Sequence, residues 1–202
     1  MLKPKQKIYL LFKRIIDIFG SLLGIIFLSP LLLLCFLITT CTSKGGPFFI
    51  QERLGRHKKV FHMIKFRSMK KDAKQVAPAD MTVEEQQSMV TGWGKFMRKT
   101  SIDEIPQLFN IFAGSMSFIG PRPSQTSEHE EELVLARESF VPNAYEVKPG
   151  LSGYAQIHMK REHDVMEKAR EDSYYVQHMS FWFDAQIFVY SFLFAFGFVK
   201  GR

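Results

Sequence analysis

No charged residue occurs from Ile18 to Cys41, and this long stretch is almost wholly apolar. As a straight helix rising about 1.5 Å per residue, it is long enough to cross a hydrocarbon core about 30 Å thick. A membrane-spanning helix is therefore the simplest expectation for this part of the chain.

Two features of the same stretch favour a different course. Ser29 and Pro30 lie at its middle, where the proline removes a helical hydrogen bond and favours a sharp bend. The Ser29 hydroxyl can bond to a carbonyl freed at that bend. Basic residues flank the run on both sides, so the positive-inside rule places both flanks in the cytoplasm. A re-entrant helix satisfies both observations, but spanning helices also contain proline, and the residues alone leave both courses open.

The composition narrows the classes of partner. A formal net charge of +7 points to polyanions, namely phosphates, nucleic acid or anionic lipid. Cys35 and Cys41 both lie in the apolar run, so neither a disulfide framework nor a zinc site is expected. No nucleic-acid-binding motif occurs, and we therefore expect no nucleic-acid partner.

A hairpin is predicted after the apolar run. The segment "PFFIQERLGRHKKVFHMIKFRSM" has the pattern of two short strands around a polar turn containing Gly55. In the second strand, the alternation of side chains puts Lys65 and Arg67 on one face. Two such cations can clamp a phosphate, or they can form a solvated basic edge strand.

The stretch "KTSIDEIPQLFN" carries two adjacent carboxylates, Asp103 and Glu104. Ser101 and Glu104 have the spacing of a capping box, which predicts that both carboxylates lie in the first turn of a helix. The helix dipole there favours their ionised form, and a purely structural role would account for that placement. Pro106 leaves the register open, because either Ser101 or Asp103 can be the N-cap.

Nearby cations favour a catalytic role for the pair. Arg98 precedes it, and Arg122 lies in the loop "FIGPRP", whose prolines restrict the backbone. Arginine is well shaped for bidentate contact with phosphate. Mg²⁺ usually takes one or two carboxylates together with phosphate oxygens and water, and a carboxylate can also act as a nucleophile on phosphorus. We therefore expect Mg²⁺ and a phosphorylated substrate at Asp103 and Glu104.

Two helices are predicted towards the C-terminus. An amphipathic helix is expected to run to Ser180, which then serves as the N-cap of an apolar helix in "FWFDAQIFVYSFLFAFGFVKGR". That second helix is expected to lie at the membrane interface, with a buried core helix as the alternative. The acidic run at 127–139 is most simply a solvated helix face.

Several of these segments resemble one family. In chain order they are "FKRIIDIFGSLLGIIFLSP", "QERLGR", "MIKFRSM", "MRKTSIDEIPQLFNIFAGSMSFIGPRP", "VKPGLSGYAQI" and "DSYYVQHMSFWFD". Together they resemble the bacterial sugar transferase family, in its small monotopic phosphoglycosyl transferase form. The combination of "SIDEIPQLFN" with "GSMSFIGPRP" is the most specific part of the resemblance.

The resemblance implies a reaction and a topology. The reaction transfers a sugar 1-phosphate from a UDP-sugar donor to a polyprenyl phosphate acceptor such as undecaprenyl phosphate, with release of UMP. Asp103 would be the nucleophile of a ping-pong mechanism, and Glu104 the Mg²⁺ ligand. The membrane helix would be re-entrant, broken at Ser29 and Pro30, with the catalytic domain on the cytoplasmic face of the bacterial inner membrane.

The chain departs from the family pattern after "YAQI". The family commonly has a polar segment with Gly-Arg there, whereas this chain has "HMKRE", which leaves Lys160 or Arg161 as the candidate phosphate-binding cation. The identity of the donor sugar is therefore open.

The combined expectation is a mainly helical α+β protein with a short β-hairpin and interfacial amphipathic helices. Residues 1–43 form the re-entrant membrane helix and residues 44–202 a small catalytic domain at the bilayer. The alternative function is a non-catalytic, membrane-tethered basic module that binds anionic lipid or nucleic acid. The oligomeric state is left open, a dimer included.

Overall fold

The first helix, α1, extends along the whole structure. The computed structural model describes residues 2–70, 89–126, 130–158 and 164–195. Helix α1 runs over Pro4–Thr42, and its 39 residues correspond to about 58 Å at about 1.5 Å per residue. Within the described residues it is the one helix that is, by length and composition, apolar enough to cross a membrane.

Helix α1 continues through its internal proline. Pro30 has no N–H to donate to the carbonyl of Ile26, one turn earlier. The Ser29 hydroxyl donates to that carbonyl instead, at 2.7 Å. The compensating bond expected from the sequence is present, while the re-entrant course of the helix stays a prediction.

Helix α1 turns polar side chains inward and apolar side chains outward. Its outward face includes Phe12, Phe19 and Phe27, which are 61%, 62% and 78% exposed. A helix packed on a water-soluble protein has the reverse arrangement, whereas one that faces hydrocarbon keeps its polar groups on the protein side. The buried residues of α1 are Gln6, Lys13, Asp17, Ser21, Cys35 and Thr39.

The predicted hairpin is confirmed. Strands β1 (Phe48–Leu54) and β2 (Val60–Phe66) pair antiparallel, joined by a 3₁₀ turn over Arg56–Lys58 that follows Gly55. Two further strand pairs occur in the described residues: β3 (Ser117–Ile119) pairs in parallel with β5 (Gly150–Ser152), and β4 (Ser124–Gln125) lies antiparallel to β1.

The remaining helices are shorter than α1, and the α+β, mainly helical class is confirmed. Ser180 caps the last helix as predicted, since its hydroxyl accepts from the N–H of Phe183 at 3.3 Å. The helices are α2 (Gly92–Lys99), α3 (Gln107–Ala113), α4 (Glu131–Glu138), α5 (Tyr154–His158), α6 (Val165–His178) and α7 (Phe181–Ala195).

Three apolar clusters form the core, and α1 packs against all of them. Tyr9 and Leu10 contact the cluster of β3, α6 and α7; Ile25 and Leu28 contact that of β2 and α3; and Cys35 is part of the cluster of β2 and α2. The boundary proposed between residues 43 and 44 therefore separates segments of different composition that share one core. Buried members of the three clusters include Val176, Ile111 and Phe66 respectively.

Replacing Ile111 is expected to destabilise the protein much more than replacing its neighbour on α3. Ile111 is fully buried, whereas Phe112 is 43% exposed. Ile111→Ala should lower the free energy of unfolding by about 2–5 kcal/mol, because it removes packed methyl groups and leaves a cavity. Phe112→Ala is the matched control, and thermal unfolding of both variants in detergent or nanodiscs provides the comparison. Equal losses of stability would contradict the assignment of Ile111 to the core.

Candidate functional site

The carboxylate pair lies in a 3₁₀ turn between α2 and α3. The turn covers Ile102–Glu104 and is preceded by Ser101, whose φ of 56° is in the left-handed region. Ser101 makes no capping hydrogen bond through its side chain, so the predicted capping box is wrong. The N-cap of α3 is Pro106, with a φ of −59°. A proline lacks an N–H and disfavours helical conformation in the residue before it, so the regular helix begins only after Pro106.

Two cations from different elements hold Glu104. Lys65 of β2 donates to Glu104 Oε1 at 2.7 Å, and Arg122 of the β3–β4 loop contacts the same oxygen at 3.4 Å. The side chains of Lys65 and Glu104 are 15% and 23% exposed, so solvent screens this pair less than a surface ion pair. The carboxylate of Glu104 thereby joins the hairpin to the "GPRP" loop.

The surroundings of the two carboxylates shift their pKa values in opposite directions. Burial raises the pKa of Asp103, and the charge of Glu104 raises it further, against the opposing effects of Lys65 and Arg98. Burial also acts to raise the pKa of Glu104, but Arg122 and Lys65 together outweigh it and hold that pKa below its usual range. Neighbouring carboxylates whose pKa values move apart are typical of sites in which the two have different roles. The sequence predicted that a helix dipole would stabilise ionised Asp103. In the structure, burial and Glu104 raise the pKa of Asp103, while Lys65 and Arg98 lower it.

Of the other predicted cations, Arg98 lies near the carboxylates and Arg67 does not. Arg98 is close enough to lower the pKa of Asp103, and its Nε donates to Ser68 Oγ at 2.9 Å. Arg67 is directed to the start of β1, where it donates to the carbonyl of Phe48 at 3.0 Å. The structure thus places Lys65, Arg98 and Arg122 near the carboxylates and directs Arg67 away from them. Lys160 and Arg161 lie outside the described residues.

A cavity of about 620 Å³ opens beside Glu104. Its polar wall includes Ser101, Glu104 and Arg122, and it continues over β5 and α5 to Lys168 and Asp172 of α6. Most of the remaining lining is apolar and comes from α1, the start of α3, β3, β5, α5 and α7. Those apolar residues are Leu28, Ile105, Leu108, Phe118, Ile119, Leu151, Ile157, Phe188, Phe192 and Phe194.

A buried ion pair supports the loop that carries Arg122. Arg137 of α4 donates through Nε to Asp172 Oδ2 at 2.9 Å and through Nη2 to the carbonyl of Arg122 at 3.0 Å. The side chains of Arg137 and Asp172 are 1% and 2% exposed. No sequence pattern indicated this pair, because Arg137 falls in the acidic run interpreted as a solvated helix face. Helical spacing could have indicated Asp172, since it lies on the same face of α6 as the buried Ala169 and Val176.

Glu104 fits Mg²⁺ as a single protein ligand. Its Oε1 is shared by Lys65 and Arg122, and within the described residues Oε2 accepts no hydrogen bond. No group of three or more His, Cys, Asp or Glu residues that could hold a metal ion occurs in the described part of the chain. This donor set suits an ion that completes its coordination with substrate phosphates and water, as Mg²⁺ does.

Comparison with known proteins identifies relatives along nearly the whole chain. A family model described as "Bacterial sugar transferase" matches residues 8–197. The chain is 38% identical over 192 residues to a UDP-glucose:undecaprenyl-phosphate glucose-1-phosphate transferase of Klebsiella pneumoniae, covering 91% of this chain and 40% of that protein. It is 34% identical over 186 residues to the UDP-N-acetylgalactosamine-undecaprenyl-phosphate N-acetylgalactosaminephosphotransferase of Aeromonas hydrophila, covering 89% of this chain and 42% of that protein.

A third relative is similar to this chain in length. The exopolysaccharide production protein PSS of Rhizobium leguminosarum bv. phaseoli is 34% identical over 186 residues, covering 88% of this chain and 92% of that protein. The chain thus spans about two fifths of the length of the first two relatives and nearly all of the third.

Breaking the Arg137–Asp172 pair is expected to be strongly destabilising. Asp172→Asn leaves the buried guanidinium without its counter-charge, which should lower the free energy of unfolding by about 3–5 kcal/mol. Glu171→Gln, at the neighbouring and less buried position on α6, is the matched control and should change stability by less than about 0.5 kcal/mol. Chemical denaturation of the two variants tests this, and a stable Asp172→Asn protein would show that the pair does not support the fold.

Proposed function

The chain belongs to the bacterial sugar transferase family, and on that basis we propose that it transfers a sugar 1-phosphate from a UDP-sugar to polyprenyl phosphate. Undecaprenyl phosphate is the acceptor named for its relatives, and UMP would be the second product. The lipid-linked sugar would be the first membrane-bound intermediate of a surface glycan. The name of the exopolysaccharide production protein from Rhizobium supports that setting.

The observation that carries this proposal is the arrangement around Glu104. Glu104, which Lys65 and Arg122 contact, lines a cavity that also has a large apolar wall, and Asp103 precedes Glu104 in the same turn. The charged part suits a diphosphate, while the apolar part, built from α1, β3 and α7, suits the first isoprene units of the acceptor.

In the first half-reaction, an ionised oxygen of Asp103 attacks the phosphorus that carries the sugar. A bond forms between this oxygen and phosphorus, the bond from phosphorus to the bridging oxygen breaks, and its electron pair leaves with UMP. The raised pKa of Asp103 makes its carboxylate a better nucleophile, and Lys65 and Arg98 counteract the burial that would keep it protonated. The product is a phosphosugar ester on Asp103.

In the second half-reaction, a phosphate oxygen of the polyprenyl phosphate attacks the same phosphorus. The bond to Asp103 breaks, the free carboxylate is restored, and a polyprenyl diphosphate sugar is formed. Arg122 and Lys65 are placed to bind phosphate oxygens in both steps. Mg²⁺ bound through Glu104 would supply charge neutralisation on the transferred phosphoryl group.

We propose further that α1 is re-entrant and that the site faces the cytoplasm. Gln6, near the start of α1, donates to the carbonyl of Val176 at 2.7 Å, and Thr39, near its end, accepts from Trp93 at 3.0 Å. Both ends of α1 thus contact the part of the protein that carries the site. If α1 spanned the membrane, its ends would lie on opposite sides, and this part of the protein would have to extend through the bilayer. Basic residues on both flanks agree with a cytoplasmic location of both ends. The exposed Phe181 and Trp182 of α7 suit the bilayer interface.

The transfer is expected to be detectable as release of UMP. The purified protein with Mg²⁺, undecaprenyl phosphate and a panel of UDP-sugars should release UMP with at least one donor. Activity should depend on Asp103, because no other side chain in the proposed mechanism forms a bond to phosphorus. The non-catalytic alternative predicts instead binding to anionic lipid that weakens steeply with salt and is indifferent to Asp103. Absence of UMP release across a broad donor panel would count against the transferase.

The covalent intermediate is expected to be trapped on Asp103. Incubation with a labelled UDP-sugar in the absence of acceptor should add one phosphosugar to the protein, detected by intact-protein mass spectrometry. Asp103→Asn should abolish this adduct while leaving thermal unfolding nearly unchanged, because the amide is isosteric with the carboxylate. An undiminished adduct in Asp103→Asn would exclude Asp103 as the nucleophile.

The re-entrant course predicts that both ends of α1 are on the cytoplasmic side. Single cysteines at Lys5 and Lys44, both exposed, can be introduced into a Cys41→Ser background, in which the remaining Cys35 is fully buried. A membrane-impermeant maleimide should label neither position in intact spheroplasts and both after permeabilisation. Labelling of one position alone in intact spheroplasts would show that α1 spans the membrane.

A further inference from the structure

Three cations that take no part in the proposed reaction meet at the C-terminal end of α3. An added Cβ on Gly114, the residue after α3, would be 3.0 Å from Arg14 Nη2 and 3.3 Å from Lys148 Nζ, so both cationic groups lie beside this glycine. Arg56 donates through Nε to the carbonyl of Glu146, two residues before Lys148, at 3.0 Å. The fold thus brings together cations from α1, from the hairpin turn and from the segment before β5.

The ammonium group of Lys148 makes no hydrogen bond and no ion pair with any described residue, although the side chain is half-buried. Burial lowers the pKa of Lys148, and the charges of Arg14 and Arg56 lower it further, against the opposing effect of Asp17. Asp17 Oδ1 is already used by two hydrogen bonds from β3. An anionic ligand would supply the counter-charge that Lys148 lacks among its described contacts.

The two arginines keep donors for such a ligand. Arg14 uses Nη1 and Nη2 to hold the carbonyls of Ile111 and Phe112, and Arg56 uses Nε on the backbone of the segment before β5. A guanidinium carries more N–H donors than these contacts use. Arg14 is half-buried and therefore fixed in place, while Arg56 is exposed.

Apolar side chains that face outward border the three cations. Leu11, one helical turn before Arg14, and Ile15, next to it, are exposed on α1. Phe112, whose carbonyl accepts from Arg14, is exposed on α3. The uncharged run of α1 begins at Ile18, one turn after Arg14. Arg14 therefore lies where α1 enters the bilayer, at the level of the lipid head groups, whether the helix is re-entrant or spanning.

The cation cluster of Arg14, Arg56 and Lys148 is separate from the cavity beside Glu104. None of the three cations lines that cavity. The carboxylate turn precedes α3, whereas the cation cluster lies at the opposite end of this helix, about 10 Å further along its axis. A ligand bound to the cluster would therefore not occupy the place of either substrate.

We propose that the cation cluster binds the phosphate of an anionic phospholipid, whose acyl chains lie along the exposed apolar side chains of α1. The cations match the negative charge of the phosphodiester and donate hydrogen bonds to its oxygens. A zwitterionic lipid such as phosphatidylcholine suits the cluster less, because its choline group would add another positive charge. The proposal requires that α1 enters the bilayer, and it does not depend on the transfer reaction.

A purely structural role of Lys148 predicts a different outcome. A cation near the C-terminal end of α3 stabilises that helix through its dipole, and this effect is independent of the lipid present. Loss of the charge would then lower the thermal stability of the protein without changing its preference among lipids. A lipid site predicts instead that the preference for anionic lipid is lost.

Native mass spectrometry of the delipidated full chain in detergent tests the site. The unaltered protein should bind one phosphatidylglycerol more tightly than phosphatidylcholine. Lys148→Met should weaken that binding about 10-fold, the effect of losing one charged hydrogen bond, and should leave phosphatidylcholine binding unchanged. Lys148→Arg should keep the preference. Arg170→Met, which removes an exposed cation from α6, is the matched control and should bind both lipids as the unaltered protein does.

A soluble probe identifies the source of the phosphate. Glycerol 3-phosphate carries the phosphate without acyl chains and should not displace phosphatidylglycerol at equal concentration. Displacement would assign the cluster to a soluble anion and overturn the proposal, as would unchanged phosphatidylglycerol binding by Lys148→Met or equal weakening for both lipids. Failure of the unaltered protein to bind either lipid would contradict the insertion of α1 and this site with it, whereas absence of UMP release would contradict the transfer reaction alone.

Discussion

The polar contacts on the inner face of α1 hold the elements that carry the site. Asp17 Oδ1 accepts from Ser117 Oγ at 3.0 Å and from the N–H of Phe118 at 3.1 Å, which fixes β3 against the helix. Arg14 donates to the carbonyls of Ile111 and Phe112 at 2.7 and 2.8 Å, at the C-terminal end of α3 where a cation is favoured. Because α3 follows the carboxylate turn and β3 precedes the "GPRP" loop, the geometry around Glu104 depends on α1.

The site uses two different supports for its charges. Lys65 and Arg122 bind Glu104 directly, whereas the Arg137–Asp172 pair supports the backbone of Arg122 from behind. A buried ion pair adds little net stability compared with apolar packing, but each partner makes the other costly to remove. Because Arg137 bonds to the backbone of Arg122, the Arg122 guanidinium, 40% exposed, remains available to contact Glu104 and a substrate phosphate.

The sequence predicted local features better than those that depend on tertiary contacts. The hairpin, the Ser180 cap and the Ser29 hydrogen bond depend on neighbouring residues, and all are present. The carboxylate pair was also recognised, but the capping box predicted for its turn was wrong. The capping pattern at Ser101 could not reveal that Lys65 and Arg122, which are distant in sequence, contact Glu104. Arg137 was missed because a charged residue on a helix is usually solvated, and only its contacts with Asp172 and with the backbone of Arg122 make it different.

The predicted insertion of α1 and the proposed chemistry meet at the same part of the helix. Leu28 lines the cavity one residue before Ser29, and Gly24 lies so close to α3 that an added Cβ would be 3.2 Å from Leu108. The middle of α1 is thus packed beside the cavity that Glu104 lines. A polyprenyl phosphate whose chain lay against the apolar side chains of the cavity would bring its phosphate to Glu104. The acceptor would then not have to leave the membrane, and the large free-energy cost of exposing an isoprenoid chain to water would be avoided.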